Sequence, residues 1–340
     1  MTPGPTGADA RAASRTVLEL VATLMEKSFE ALGEGTVLGT LPTYAERFGA
    51  MNAVYMGRHF VRCDPGVGAV SALTPLNVVS RVTGTGFDMP QQTRARAVKR
   101  LRACEFLDAF EDRGEFPKAM MCLLHRATYQ GSVNATLAHD DGYEVDLRTR
   151  ILFGDPHCEF VVRSRGPRPD APDRECEVTR QPAPDECDDL SYSFYTFLLT
   201  SFVDYLTNHL PEDTVHGILR SCAAEVGSKV YGLMDAVGAL PRDPADAARA
   251  VLRMGGREFA PDGDGAGRDL RVTHCPQAAH IIATAKGNDD PDAARAVREN
   301  ACRLCKNLVQ GAAERVSPGC RVGRRTSLAL GDGDCHFTVT

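Results

Sequence analysis

The sequence predicts an α+β fold made of two tandem repeats, each with helices packed on a small antiparallel sheet that ends in a hairpin. Three observations predict this fold. Blocks of similar sequence occur twice, in the same order. Apolar residues near the start of each half have helical spacing. Near the end of each half they alternate as in strands, on either side of a turn-forming Gly-Asp sequence.

The two halves of the chain share three blocks of sequence. The blocks pair residues 34–56 with 212–234, 122–131 with 302–311, and 154–160 with 331–337. In the first block eight positions are identical, among them Gly49 and Gly227. The last block reads Gly-Asp-x-x-Cys-x-Phe in both halves. A tandem duplication with small insertions explains the matches and their common order.

The duplication sets the expected domain boundaries. Residues 164–190 are rich in Pro, Asp and Arg and lack apolar periodicity, which is typical of a linker or a long surface loop. We therefore expect, in chain order, a flexible tail, a first repeat, a linker and a second repeat, at residues 1–14, 15–165, 166–189 and 190–340.

Each repeat is expected to open with two helices and to continue into a strand. The stretches 16–32 and 193–209 place apolar residues at helical spacing. A second helix follows a Thr-Val sequence in each half. Further along, residues 270–275 are typical of a strand that Pro276 ends or turns, and residues 100–104 are its weaker counterpart.

A helix with a C-x-x-C or C-x-x-H element and a hairpin complete each repeat. On a helix, positions i and i+3 lie on one face, so Cys302 and Cys305 project together, as do Cys122 and His125. The closing hairpins are predicted around the Gly-Asp turns. Because side chains alternate along a strand, Cys335 is expected on the core side of the last one.

Composition indicates a globular protein outside the nucleic-acid-binding and membrane classes. The 340 residues carry 39 Lys and Arg against 45 Asp and Glu, a net charge of −6, and no basic run with interleaved aromatic residues. The sequence has no signal-peptide pattern and no apolar run long enough to span a bilayer. We expect a cytoplasmic protein with a small-molecule partner, no nucleic acid and no membrane. The oligomeric state stays open.

Twelve cysteines are many for such a chain. In a reducing compartment they are free thiols, metal ligands or nucleophiles more often than a disulfide framework. Each repeat offers four soft ligands from three chain segments. The second repeat supplies Cys275, Cys302, Cys305 and Cys335, and the first supplies a weaker set, Cys104, Cys122, His125 and Cys158. Either set suits zinc, and four thiolates also suit an iron–sulfur cluster.

Two other interpretations of the cysteines stay open. A thiolate at Cys335 or Cys302 is a candidate catalytic nucleophile, with Asp332 orienting a base or a water molecule. Alternatively the thiols only fill the core, because free cysteine packs as a small apolar residue. The recurrence of thiols at matched places in both halves favours a functional role.

The second half resembles a known family. Its Val-Thr-His-Cys-Pro sequence, its C-x-x-C helix and its Gly-Asp-Gly-Asp-Cys-His-Phe end are similar to the L-2-amino-thiazoline-4-carboxylic acid hydrolase-like family over about residues 270–340. The similarity extends more distantly to 4-vinyl reductase-type small-molecule-binding domains. The first half matches through its cysteine-bearing helix and its last block, with His125 in place of the second cysteine.

The resemblance implies a hydrolase that opens a small sulfur- or nitrogen-containing ring at a cysteine-rich site. The bond cleaved would be a cyclic amidine-like or related C–N or C–S bond. The related binding domains hold small hydrophobic or tetrapyrrole-like ligands, some with a cysteine-bound zinc. The alternative expectation is therefore a non-catalytic protein that binds a small molecule or a metal.

Overall fold

The structure is a computed structural model, and it has the α+β class that the sequence predicts. The residues that it describes are 7–63, 68–137, 142–167, 173, 175–236, 241–254, 257–260, 268–286 and 290–340. Within these residues, no helix combines the length and the apolar character needed to cross a membrane.

The helices include the predicted opening and cysteine-bearing helices of both halves. In the described residues they are α1 (Gly7–Leu32), α2 (Glu34–His59), α3 (Ala69–Ala72), α4 (Thr74–Val82), α5 (Leu107–Phe110), α6 (Glu115–Thr136), α7 (Pro184–His209), α8 (Glu212–Ala236), α9 (Pro244–Met254), α10 (Pro276–Ala285) and α11 (Pro291–Val316).

The strands are short. In the described residues they are β1 (Val61–Arg62), β2 (Phe87–Gln92), β3 (Arg96–Leu101), β4 (Tyr143–Leu147), β5 (Cys158–Ser164), β6 (Glu177–Val178), β7 (Glu258–Phe259), β8 (Asp269–His274), β9 (Val322–Arg324) and β10 (Cys335–Val339). The predicted strand at 270–275 corresponds to β8, and Pro276 follows it as the first residue of α10.

The chain forms two compact units whose boundaries differ from those of the predicted repeats. The middle unit comprises Gly33–Cys187, and the terminal unit combines Met1–Leu32 with Asp188–Thr340. Helix α1, which the sequence places in the first repeat, therefore belongs to the terminal unit. There it contacts α8 and α9.

Parts of the predicted tail and linker belong to helices and to a strand. The chain is helical from Gly7 onward, so the second half of the predicted tail belongs to α1, while residues 1–6 lie outside the described residues. Of the predicted linker, residues 168–172 and 174 also lie outside them. Its remainder contains β6 and the start of α7.

A four-stranded antiparallel sheet forms one layer of the middle unit. Its strand order is β2-β3-β5-β4. Helices α3, α4 and α6 supply residues that pack on it, and the buried core includes Leu76, Tyr129 and Phe160. A separate antiparallel pair joins β1 to β6, with Val61 opposite Val178.

The sheet of the terminal unit has the strand order β7-β8-β10-β9. When the four strands of each sheet are numbered in chain order, the two sheets have the same order, 1-2-4-3. On β10, Cys335, Phe337 and Val339 are buried, whereas His336 and Thr338 are partly exposed, which confirms the predicted alternation. A common strand order is what a tandem duplication predicts, and the duplication itself stays a hypothesis.

In each unit, two long helices meet at paired glycines. Helices α2 and α6 meet at Gly49 and Gly131, and α8 and α11 meet at Gly227 and Gly311. A Cβ atom on Gly131 would overlap the carbonyl oxygen of Glu46, and one on Gly311 would lie 2.7 Å from a carbonyl oxygen of α8. Only glycine allows these backbones to approach so closely, which explains why the positions recur in both halves.

The predicted closing hairpins are wrong in their first strand. Leu328–Leu330 forms a 3₁₀ turn instead of a strand, and Ile151–Phe153 does the same in the middle unit. Gly331 (φ 101°) and Gly154 (φ 87°) end these turns in the left-handed conformation. Strand β10 therefore pairs with the more distant β9 and with β8.

One pair of cysteines departs from the expected free state. Cys63 and Cys176 form a disulfide, and the other ten cysteines are free. The disulfide links Cys176, near the middle of the predicted linker, to Cys63, which directly follows β1 in the same unit. Close to it, the Asp173 carboxylate accepts the backbone N–H groups of Val70 and Ser71 at 3.0 and 3.3 Å.

Candidate functional site

The structure brings the four predicted cysteines of the second repeat to one place in the terminal unit. Cys302 and Cys305 lie on α11, Cys275 follows β8, and Cys335 begins β10. Burial raises the pKa of the Cys305 thiol to about 11, against an opposing effect of Arg257 and with further increases from the other three cysteines. All four thiols therefore lie within electrostatic reach of one another.

A buried guanidinium, which the sequence analysis missed, stands among these thiols. Arg257 is only 7% exposed. Its Nη2 donates to Cys305 Sγ at 3.2 Å and to Gln277 Oε1. Gln277 in turn donates to the Tyr192 hydroxyl at 3.0 Å. Burial opposes the charge of Arg257, but electrostatic interaction with the acidic groups of Cys305, Cys275 and Tyr192 raises its pKa above the usual value, so the guanidinium stays protonated.

The space beside Arg257 is small. A cavity of about 30 Å³ borders Arg257, Gln277 and Cys305. This volume holds roughly one or two water molecules. Among the described residues, this cavity beside Cys305 is too small for a heterocyclic substrate.

The metal interpretation of the cysteine cluster gains no support from this geometry. In the part of the chain that the structure describes, no group of three or more His, Cys, Asp or Glu side chains is placed to hold a metal ion. The Arg257 cation beside Cys305 would repel a second cation. Cys302 Sγ lies 3.0 Å from Ser327 Oγ, a hydrogen bond within the protein. Zinc and iron–sulfur binding stay predictions.

The Gly-Asp-x-x-Cys sequence has a structural explanation in the terminal unit. Asp332 accepts the Ser327 N–H at 2.7 Å, and Cys335 Sγ accepts the Leu328 N–H at 3.2 Å. Both contacts fasten the 3₁₀ turn that Gly331 ends. These contacts account for the recurrence of the three residues without catalysis.

The middle unit repeats the same arrangement. Asp155 accepts the Arg150 N–H at 2.6 Å, and Cys158 Sγ accepts the Ile151 N–H at 3.3 Å. Gly154 ends this turn. A shared local structure therefore underlies the last of the three matched blocks.

The candidate nucleophiles are buried thiols. Burial raises the pKa of both Cys302 and Cys335, while hydrogen bonds from Ser327 and from the Leu328 backbone oppose the increase. A thiol with a raised pKa is mostly protonated at neutral pH and is therefore a weak nucleophile. Nucleophilic roles for Cys335 and Cys302, and a catalytic role for Asp332, stay hypotheses.

The weaker set of the first repeat also lies together, in the middle unit. Burial raises the pKa of Cys104, and its neighbours Cys158 and Cys122 raise it further. Burial lowers the pKa of His125 to about 3. Three aromatic rings pack against this imidazole, those of Phe106, Tyr129 and Phe160, with ring centres 5.9, 5.2 and 5.0 Å away. The His125 environment is that of a neutral core residue.

A buried lysine, also missed from the sequence, lies beside this set. Lys99 Nζ donates to the Leu76 carbonyl oxygen and to Ser80 Oγ, both at 2.9 Å, and lies 4.7 Å from the centre of the Phe87 ring. Burial lowers the pKa of Lys99 well below its usual range and raises that of Glu105 to about 7. The ammonium group is bonded within the protein, so we interpret it as structural.

A larger pocket of about 440 Å³ opens on the terminal unit between α8, α11 and β9. Four cationic side chains line it: Arg220, Arg303, Lys306 and Arg324. None of the four makes an ion pair or a side-chain hydrogen bond with the described part of the chain. Arg324 Nη1 is buried without a partner there. The chain as a whole is acidic, with a net charge of −6, so this clustering of cations is local.

The pocket also holds polar groups that differ from these cations. Asn307 lines it, is 7% exposed and makes no hydrogen bond with the described residues. Among the described residues that line the pocket, Glu299 is the one carboxylate, and Arg295 donates to its Oε1 at 2.8 Å. His216 of α8 stands at the pocket as well.

The cations of the pocket repel one another. The pKa of Lys306 is lowered, first by burial and then by the charges of Arg220, Arg303 and Arg324. Arg324 also lies within electrostatic reach of Cys302, so the pocket stands next to the predicted cysteine cluster.

The sequence contained part of the signal for this pocket. Glu299, Arg303 and Lys306 follow helical spacing and so share a face of the cysteine-bearing helix. Arg220 and Arg324 come from segments far away in the sequence, and only the fold brings them to that face.

Comparisons with known proteins give no match: no family model fits the chain, and no curated protein or solved structure is significantly similar to it.

Proposed function

We propose that this protein binds a small anionic molecule in the pocket between α8, α11 and β9. The observation that carries the proposal is the convergence of Arg220, Arg303, Lys306 and Arg324 on one cavity of about 440 Å³, with no ion pair to the described residues. Small-molecule sites typically measure about 300–1,000 Å³. This proposal corresponds to the binding protein that the sequence analysis carried as its alternative.

Electrostatics explains why an anion would bind. Bringing four cations together, partly out of water, costs free energy that a bound counter-ion offsets. Arginine side chains also present planar donor groups that match the oxygen atoms of carboxylates and phosphates. A cation such as a free metal ion is excluded by the same repulsion.

The first test is calorimetric titration of the full chain with inorganic pyrophosphate at low ionic strength. We expect binding by the wild type and a loss of about tenfold or more in Arg324→Gln, because charged hydrogen bonds contribute about 1.5–3 kcal/mol. Arg325→Gln is the matched control, since Arg325 is the next residue, is exposed and does not line the pocket. Absence of binding by the wild type, or equal losses in both variants, would overturn the proposal.

A hydrolase of the thiazoline-carboxylate type is the second candidate. One observation favours it: Arg324 lies near both Lys306 and Cys302, so a carboxylate held in the pocket would stand next to the predicted cysteine. We propose turnover of 2-amino-thiazoline-4-carboxylate as its test, with loss in Cys302→Ser. Saturable binding without product would leave the first candidate and remove this one.

A cytoplasmic location completes the proposal. The ten free cysteines support it, because disulfides form mainly in oxidising compartments. The Cys63–Cys176 disulfide is an argument against it. Measuring the redox state of these two cysteines in freshly lysed cells, with rapid thiol alkylation, decides between the two.

A further inference from the structure

The pocket of the terminal unit has two chemically different ends. At one end, Lys306 is within electrostatic reach of Arg220, Arg303 and Arg324. The other end is marked by Glu299, which lies seven residues before Lys306 on α11. At 1.5 Å per residue this places the two about 10 Å apart along the helix.

The end of the pocket at Glu299 offers hydrogen-bond acceptors. Arg295 donates to one oxygen of Glu299, and a carboxylate accepts about four hydrogen bonds in all. Glu299 can therefore accept from a hydroxyl group of a ligand. A carboxylate in an otherwise cationic pocket weakens the binding of a bare anion, and it suits a ligand that is not anionic throughout.

Asn307 provides a second contact for a neutral group. The residue is 7% exposed, lines the pocket and makes no hydrogen bond with the described residues. Neither polar atom of the amide is among the fully buried atoms without a partner, so the amide is accessible from the pocket. A ligand hydroxyl, which both donates and accepts, satisfies either half of the amide.

The size of the pocket also indicates a ligand larger than an inorganic anion. An inorganic tetrahedral anion needs the space of only about two or three water molecules, each with a share of about 30 Å³ in the liquid. The cavity of about 440 Å³ is several times larger. The cationic end alone would hold the anion, and the rest of the volume is left for another part of the ligand.

We propose that the ligand is a phosphorylated polyhydroxy compound, with its phosphate at Arg220, Lys306 and Arg324. One hydroxyl group close to the phosphate lies at Asn307, the neighbour of Lys306, and the others lie toward Glu299. This inference rests on the anion-binding function proposed above. A phosphate monoester carries up to two negative charges and three exposed oxygens, which matches several converging cations better than a single carboxylate does.

The experiment compares two phosphate monoesters of similar size on the full chain by calorimetry. Glucose 6-phosphate carries hydroxyl groups, and cyclohexyl phosphate carries none. We expect glucose 6-phosphate to bind at least tenfold more tightly to the wild type. In Glu299→Ala the ratio of the two affinities should fall toward one, even though both phosphates gain from the removed negative charge. Asp292→Asn, an exposed change at the start of α11, should leave the ratio unchanged.

The outcomes separate this inference from the proposed function. Equal affinities of the wild type for the two monoesters overturn the polyhydroxy ligand and leave anion binding in place. Binding of citrate without binding of either monoester overturns phosphate as the anionic group. No binding of pyrophosphate, citrate or either monoester overturns both. The comparison in the wild type alone decides the matter if Glu299→Ala does not fold.

Discussion

Cys335 and Cys158 occupy the same position in the two units, at the first residue of the central strand that follows the 3₁₀ turn. Each sulfur accepts a backbone N–H of that turn. The sequence analysis predicted the core-facing position of Cys335 from strand alternation. It did not predict the sulfur's hydrogen bond, because the preceding residues were assigned to a strand instead of a turn.

Buried thiols of this kind should react slowly with alkylating reagents. Because burial raises the pKa of Cys302 and Cys335, we expect both to be alkylated by iodoacetamide about tenfold or more slowly in the folded protein than in urea at pH 7.5. Peptide mass spectrometry over time measures each rate. An equal rate of alkylation of Cys335 in the folded and unfolded states would contradict the structural interpretation and favour Cys335 as a nucleophile.

Asp332 should matter for stability. Removing its carboxylate in Asp332→Ala leaves the N–H of Ser327, a residue only 1% exposed, without its acceptor, and we expect a loss of about 1–3 kcal/mol in the free energy of unfolding. Asp332→Asn retains an acceptor oxygen and should lose less. Urea denaturation of both variants measures the difference, and equal losses would argue against the hydrogen bond.

His125 should give the middle unit sensitivity to acid. Its pKa is about 3 in the folded state, first because of burial and then because of Lys99, against about 6.5 when unfolded. The unfolded chain therefore binds more protons between pH 6.5 and 3, and stability falls as the pH decreases through this window. In His125→Leu we expect the slope to become less steep, by up to about 1.4 kcal/mol per pH unit.

Glu105 acts in the opposite direction in part of this range. Burial raises its pKa to about 7, so the folded state binds more protons than the unfolded state between pH 4.5 and 7. The contribution of Glu105 to the free energy of unfolding therefore decreases as the pH rises through this range. In the His125→Leu variant only the effect of Glu105 remains, so the free energy of unfolding should increase as the pH is lowered from 7 to 5. Urea midpoints at several pH values measure this, and an unchanged slope would contradict the neutral buried imidazole.

Lys99 is a buried residue whose face on its strand follows from the sequence. Ala97, Lys99 and Leu101 alternate on β3 and all three are buried. Alternation places the lysine on the face of Ala97 and Leu101, although Val98 on the opposite face is buried as well. Arg257 has no such pattern around it, and its burial among thiols depends on contacts between distant segments.

Four of the glycines that recur in both halves lie where two helices contact each other. The sequence analysis identified Gly49 with Gly227 as matched positions but had no means to assign the reason. The reason is the close approach of two helices, which is a property of the pair and not of either helix.

Two glycines on α2 should respond oppositely to the same substitution. Gly49→Ala places a Cβ against the backbone of Thr128, and we expect a loss of about 1–3 kcal/mol. Gly39→Ala meets nothing within 4 Å and should gain up to about 1 kcal/mol, since alanine favours helix more than glycine does. Thermal and urea unfolding measure both, and a neutral Gly49→Ala would contradict the close crossing.

The closing hairpins were beyond what alternation can predict. Three apolar residues in Thr-Ser-Leu-Ala-Leu fit a short strand and a 3₁₀ turn equally well. The left-handed glycine after them fits both. The choice is made by β8 and β9, which pair with β10 and leave no place beside it for a strand at Leu328–Leu330.

At the scale of the whole molecule, the class of the fold was predictable and the division of the chain was not. Helical and strand periodicity are local signals, and they gave the α+β class. The assignment of α1 to the terminal unit depends on which apolar face it packs against. It contacts α8 and α9, whose sequences carry no mark of that pairing.

The Cys63–Cys176 disulfide should stabilise the middle unit. Its two cysteines are 113 residues apart, and removing a native disulfide typically costs about 2–5 kcal/mol. In Cys176→Ser we expect faster hydrogen exchange around Val61 and Val178, whose strands pair beside the bond, and no change in α11. Exchange measured by mass spectrometry tests this, and equal exchange in both proteins would show that the bond contributes little.

Helices α8 and α11, which line the pocket, cross closely at Gly227 and Gly311. The separation of the two helices at this crossing affects the width of the pocket. Gly311 lies one helical turn after Asn307, on a face of α11 that contacts α8. A side chain there would act as a wedge that moves α8 outward and carries Arg220 away from Lys306. Under the anion-binding function proposed above, the size of the ligand would thus be controlled by a residue that the ligand does not touch.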